Sequence, residues 1–162
     1  MFDFKPKADA DKATAWSDLI GAADGVTTGE RDVIANMANV ASLLWELIPD
    51  LNWAGFYRMV DGELVLGPFQ GRAACIRIAL GSGVCGTAAA SAGTQLVEDV
   101  NAFPGHIACD AASVSELVVP IIVDGAVIAV LDLDSPTAAR FDAEDAANAE
   151  RLCALLAERL AG

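Results

Sequence analysis

The sequence is poor in positive charge, with ten Lys and Arg against 23 Asp and Glu and a formal net charge of −13. Such a polyanion repels phosphate backbones, which argues against general nucleic-acid binding. It also has no uninterrupted apolar run near the ~18 residues that span a bilayer, although 54% of its residues are apolar, many of them alanine. The first residues, MFDFKPKADADK, lack the apolar stretch of a signal peptide, so a cytoplasmic protein is expected. No internal repeat, linker or low-complexity tract interrupts the 162 residues. One domain over 1–162 is expected, since two separate cores would be small for that length.

The remaining patterns describe an α+β order. Residues 8–23 place Trp16, Leu19 and Ile20 at helical spacing, and 29–47 put Val33, Met37, Val40, Leu44 and Leu47 on one helical face. Gly25 and Gly29 are read as breaks between these helices. Residues 51–60, the Asp61-Gly62 pair and 63–66 form a hairpin signal, and 115–123, Asp124-Gly125 and 126–133 form another. Two tight hairpins imply an antiparallel sheet. A last helix over 142–160 starts at the cap candidate Asp142, with Asp145 three residues on. Between the hairpins, 67–113 reads as a long irregular stretch containing seven glycines and the only histidine, His106. Loops of that length in a compact domain usually serve function.

Three of the four cysteines, Cys75, Cys85 and Cys109, fall in that stretch, while Cys153 sits among Leu152, Leu155 and Leu156 as a buried hydrophobe. Cys75 is flanked by Arg72 and Arg77, and Cys85 follows a glycine turn at a helix start; both settings favour a thiolate. Three uses compete. Plain packing serves for any single cysteine. A zinc site from Cys75, Cys85, His106 and Cys109 lacks the short Cys-x₂₋₄-Cys spacing of structural sites. Thiol redox chemistry, with one cysteine oxidised and another resolving it, fits three loop cysteines in a reducing compartment best.

The segments NWAGFY (52–57), GPFQGRAACIRI (67–78), GSGVCGTAAA (81–90), VEDVNAFPGHIACDAASVSELVVPI (97–121) and LDLDSP (131–136) resemble the free methionine-(R)-sulfoxide reductases, enzymes of the GAF fold. The resemblance runs from about residue 14 to 160 and departs at Ala73, where the family often has proline. It implies a central antiparallel sheet with helices packed on it. It also implies Cys109 as the attacking cysteine, Cys75 as the main resolving one, and Cys85 as a second thiol that exchanges into the disulfide or lines the pocket. Glu116, Asp132 and Asp134 become the substrate-facing carboxylates, and Trp53, with Tyr57 nearby, the aromatic wall. Thioredoxin is the implied electron donor, with no metal or organic cofactor.

The residues support this reading in their own terms. Asp132 and Asp134 alternate with Leu131 and Leu133, so both carboxylates face one side of a strand. Two acids side by side call for a cation, and a free amino acid brings one as its ammonium. Reduction also needs a proton on the sulfoxide oxygen, which a carboxyl of raised pKa can supply. The same acids read equally as a solvated strand end, and Trp53 and Tyr57 as core. His106 either assists Cys109 or bonds its own loop. A non-catalytic GAF sensor is the alternative function, although such a sensor needs no resolving thiols. Helices 8–23 and 29–47 offer a face for a homodimer.

Overall fold

The computed structural model describes residues 10–105 and 112–161. Helix α1, Lys12–Thr27, starts where the Asp11 carboxylate accepts the Thr14 N–H. It passes through Gly21 and Gly25 rather than breaking at Gly25. A helical glycine costs about 1 kcal/mol, and burying Trp16, Leu19, Ala22 and Ala23 along one side outweighs that. The break comes at Thr28 and Gly29, whose φ of 82° suits a residue without Cβ. Helix α2, Val33–Leu47, begins later than the periodicity predicts because Asp32 caps it through the Ala35 N–H. Met37, Val40, Leu44 and Leu47 are buried as expected, but Val33, the first residue of the helix, is exposed.

Six strands form an antiparallel sheet in the order β3-β2-β1-β6-β5-β4. They are β1 Trp53–Val60, β2 Glu63–Gly71, β3 Arg77–Ile78, β4 Gln95–Val97, β5 Ser115–Val123 and β6 Ala126–Ser135. Both Asp-Gly turns have positive φ at their two central residues (51° and 87° at Asp61-Gly62, 50° and 79° at Asp124-Gly125). That is the turn geometry whose twist matches a hairpin. The stretch 67–113 is not one irregular loop. It completes β2 and holds β3, helix α3 (Gly83–Ser91), β4 and a 3₁₀ turn at Val100–Ala102. Strands β3 and β4 are short, and edge pairing rather than periodicity makes them regular, while α3 follows the glycine turn before Cys85. Helix α4, Ala143–Leu160, is capped by Asp142 as expected, and Asp145 reaches back to complete a capping box.

Helices and strands divide into two layers of core about the sheet. On one side Phe56, Leu117, Leu131 and Leu133 pack with buried residues of α1, α2 and α4. On the other, Trp53, Tyr57, Val118 and Val130 pack with Val84, Cys85 and Ala88 of α3. Pairing of β1 with β6 sets Trp53 opposite Asp134 and Gly55 opposite Asp132, while β5 sets Glu116 opposite Asp134. Directly opposed residues share a face. The aromatic pair and all three predicted carboxylates therefore lie on the α3 side.

Candidate active site

Cys85 on the first turn of α3, Glu116 on β5 and Asp132 on β6 meet in one buried corner. The Cys85 sulfur and one oxygen from each acid lie within 4.8 Å of one another, and the thiol donates weakly to Glu116 Oε1 at 3.9 Å. Cys85, Glu116 and Asp132 are only 4%, 7% and 6% exposed. Asp132 Oδ1 is buried without a hydrogen-bond partner among the described residues. Beside them Trp53 stacks on Tyr57 with ring centroids 5.8 Å apart, and on Phe69 at 5.2 Å. The Trp53 indole N–H donates to the Arg72 carbonyl at 3.1 Å, tying the segment before Cys75 to the aromatic wall. Trp53, Tyr57, Asp132 and Asp134 line a small cleft with residues 72–74.

Electrostatics in this corner follow from crowding acids away from water. Burial, then the charges of Asp132 and Asp134, push the Glu116 carboxyl well above its ordinary range. Burial likewise carries Asp132 up to about 7, against the opposing hydrogen bonds from Cys85 and Glu116. The Tyr57 phenol is also raised, first by burial and then by Asp132. At neutral pH such a corner can hold protons that ordinary carboxylates would have released, and it offers negative charge to an incoming cation.

The expectation of a lowered pKa for Cys85 is overturned. Burial, then Asp132 and Glu116, drive its thiol well above the usual value. A helix N-terminus is worth about 1 kcal/mol or less to an anion at an ordinary site, too little to offset burial against two acids. Cys75 is disulfide-bonded, so it is not a thiolate ligand as the zinc alternative required. Its neighbour Arg77 is engaged by Glu63 on β2 instead. Cys109 and His106 lie outside the described residues. Cys153 is buried with its sulfur 3.9 Å from the Val119 carbonyl, and burial raises its thiol too, as a packing role requires.

Two residues of the site were not singled out from the sequence. Phe69 extends the aromatic stack, and the Gly67-Pro68 pair before it is the signal of an irregular strand that could have revealed it. Asn52 donates its side-chain amide to Ser113 Oγ at 3.1 Å and its backbone N–H to the Asp134 carbonyl at 3.0 Å. Nothing local in the sequence marks that role. A larger cleft of about 660 Å³ opens near Trp16, Trp45 and Arg140, in the α1–α2–α4 layer. It contains no cysteine, and its buried acid, Asp145, is already engaged by Trp16, Lys12 and Arg140.

Residues 30–161 match the GAF domain family. The chain is 49% identical over 150 residues to the free methionine-R-sulfoxide reductase of Escherichia coli, covering 93% of this chain and 91% of that one. It is 46% identical over 141 residues to the free methionine-R-sulfoxide reductase of Saccharomyces cerevisiae, covering 82% and 78%. Among solved structures, free methionine-R-sulfoxide reductase from Neisseria meningitidis in complex with its substrate superposes with a TM-score of 0.94. That pair shares 44% identity over 99% of this chain and 96% of the other.

Proposed function

Because this chain belongs to the free methionine-R-sulfoxide reductases of the GAF fold, we propose that it reduces free methionine-(R)-sulfoxide to methionine. In this reading Cys109 attacks the sulfoxide sulfur as its oxygen is protonated, methionine leaves, and Cys109 is left as a sulfenic acid. The Cys75 thiol then displaces water from that sulfenic acid and closes a disulfide. Thioredoxin restores both thiols by exchange. One sulfoxide and two thiols thus become methionine, water and a disulfide. The cysteines carry both electrons, so the cycle calls for no metal or organic cofactor.

The observation that carries this reading is the gathering of Glu116, Asp132 and Asp134 on the face that holds Trp53 and Tyr57. Acids crowded in a poorly solvated corner are relieved by a cation, and an unblocked amino acid supplies one. A methionine within a polypeptide has an amide there and gains nothing. Glu116 and Asp132, both raised by burial, are the groups suited to hold a proton for the sulfoxide oxygen. Trp53 and its stacked neighbours offer an apolar wall to the methyl-sulfur end. Cys75 in a disulfide, with Cys85 and Cys153 as free thiols, supports Cys75 as the resolving residue. Cys85 then serves as a thiol lining the pocket. The reading extends to one GAF-like unit working in the cytoplasm, and to a homodimer through α1 and α2.

Thioredoxin-coupled NADPH consumption tests it with free methionine sulfoxide and with its N-acetyl derivative. Free substrate is expected to turn over and the blocked one to lose most of its kcat/KM; equal rates would remove the ammonium argument. Cys109→Ser is expected to abolish methionine release in a single turnover. Cys75→Ser is expected to release about one equivalent and then stall. Multiple turnovers by Cys75→Ser with thioredoxin would transfer the resolving role to Cys85. Binding of the substrate without any turnover would favour the sensor alternative.

A further inference from the structure

The corner formed by Cys85, Glu116 and Asp132 contains more than the proposed reaction uses. That reaction needs two redox sulfurs, Cys109 and Cys75, and acids for an ammonium and a proton. It does not explain why a third sulfur from α3 is brought against acids from β5 and β6. Cys85 comes from a helix 31 residues before Glu116, so no local turn brings its sulfur against the two acids of the β5–β6 hairpin. Each residue offers one donor atom, all within 4.8 Å of one another, and each is more than nine-tenths buried. Asp132 Oδ1, in the same corner, is a buried acceptor that receives no hydrogen bond among the described residues. A buried acceptor left without a donor is costly unless something fills its place.

We propose that Cys85, Glu116 and Asp132 form a site for a thiophilic divalent cation of the Zn²⁺ type, which competes with the ammonium of the substrate. One sulfur and two carboxylate oxygens form a donor set that Zn²⁺ accepts, with a fourth position left for water. Mg²⁺ and Ca²⁺ prefer six or more oxygens and gain little from sulfur. Zinc bonds of about 2.0–2.3 Å bring donor atoms closer to one another than 4.8 Å, so the corner contracts slightly on binding. The cation takes the place of the Cys85 thiol proton and of any proton held on the ligating Glu116 and Asp132 oxygens, and these leave to solvent. No electrons move. Only the competition rests on the proposed reductase reading, because the donor set exists whatever the substrate.

The disulfide form of the full chain is the right material, since Cys75 is not free in it and turnover is impossible. Titration with Cd²⁺ is expected to raise one equivalent of thiolate-to-metal absorption in the near ultraviolet. Cys85→Ser should abolish that band, and Cys153→Ser should leave it intact. Asp132→Asn, which keeps the shape of the side chain, should weaken Cd²⁺ binding by at least about tenfold. Circular dichroism confirms that each variant is folded. No band, or a band that survives Cys85→Ser, overturns the site. Free methionine sulfoxide is expected to diminish the band and its N-acetyl derivative to leave it; no effect of the free compound overturns the competition. A chain that gives the band but never reduces free methionine sulfoxide sinks the catalytic reading and leaves the metal site standing.

Discussion

Asp132 occupies a position where ionisation is costly, since burial lifts its carboxyl from an ordinary 3.8 to about 7. Its folded pKa lies above its unfolded one, so the folded chain holds the proton more tightly. The resulting stability is complete below about pH 4 and is lost as pH rises through about 7. Glu116 is shifted in the same direction and adds to the trend. For Asp132 alone the upper limit is on the order of 4 kcal/mol. Ligand-free protein is therefore expected to melt at lower temperature near pH 8 than near pH 5, with Asp132→Asn flattening the dependence. Thermal unfolding of both chains across that range checks it, and parallel curves would show that Asp132 ionises freely. The residue types here were legible: two acids alternating with leucines, and an aromatic pair four apart. Their protonation was not, because it depends on which other acids lie across the sheet.

At the scale of elements, each hairpin contains one irregularity that the site depends on. Counting back from the Asp61-Gly62 turn in plain register puts Phe69 opposite Ala54, on the α1–α2–α4 side. The bulge at Gly67-Pro68 moves it opposite Gly55 and onto Trp53. In the second hairpin, the shift near Ile121 and Ile122 sets Glu116 opposite Asp134 instead of Leu133. A one-residue slip turns a side chain to the other face, so without this bulge Glu116 would point into the opposite core. Gly55 belongs to the same device. A Cβ there would fall 2.3 Å from Phe69 Cβ and 2.8 Å from the Pro68 carbonyl, so β1 and β2 could not stay paired. Gly55→Ala is expected to cost about 1–3 kcal/mol and to raise KM for free methionine sulfoxide by loosening the aromatic stack. Chemical denaturation and steady-state kinetics check this, and unchanged values of both would mean the strands part without consequence.

Across the whole molecule, the sheet separates a supporting layer from the layer that carries chemistry. Asp145 anchors the first. Its carboxylate accepts from the Trp16 indole at 2.9 Å and from Lys12 at 2.7 Å, and it closes the cap of α4. This joins the first helix to the last across the chain, and Asp145 is completely buried. Asp145→Ala leaves the Trp16 donor unpaired and is expected to cost about 3 kcal/mol. It should leave kcat/KM unaltered below the melting transition, because none of its partners reaches the α3 side. Urea unfolding beside an activity assay tests both halves, and a matching loss of kcat/KM would mean that the two layers are coupled. The charge balance acts at this scale too. With 23 acids against ten bases, the surface stays anionic even after Glu116, Asp132 and Asp145 are buried.

The sequence by itself determined that α1, α2 and α4 are helices, both Asp-Gly hairpins, the cap of α4 at Asp142 and the set of side chains able to do sulfur and proton chemistry. Those features arise from interactions within a few residues, where periodicity and turn preference decide the outcome. Tertiary structure alone decided the rest: that α1 runs on past Gly25, that Cys85 is a protonated thiol between two acids, and that Glu116 and Phe69 face the site. Each of these turns on burial or on a one-residue register shift. Both are settled by what packs against a strand from far along the chain, which no local pattern encodes.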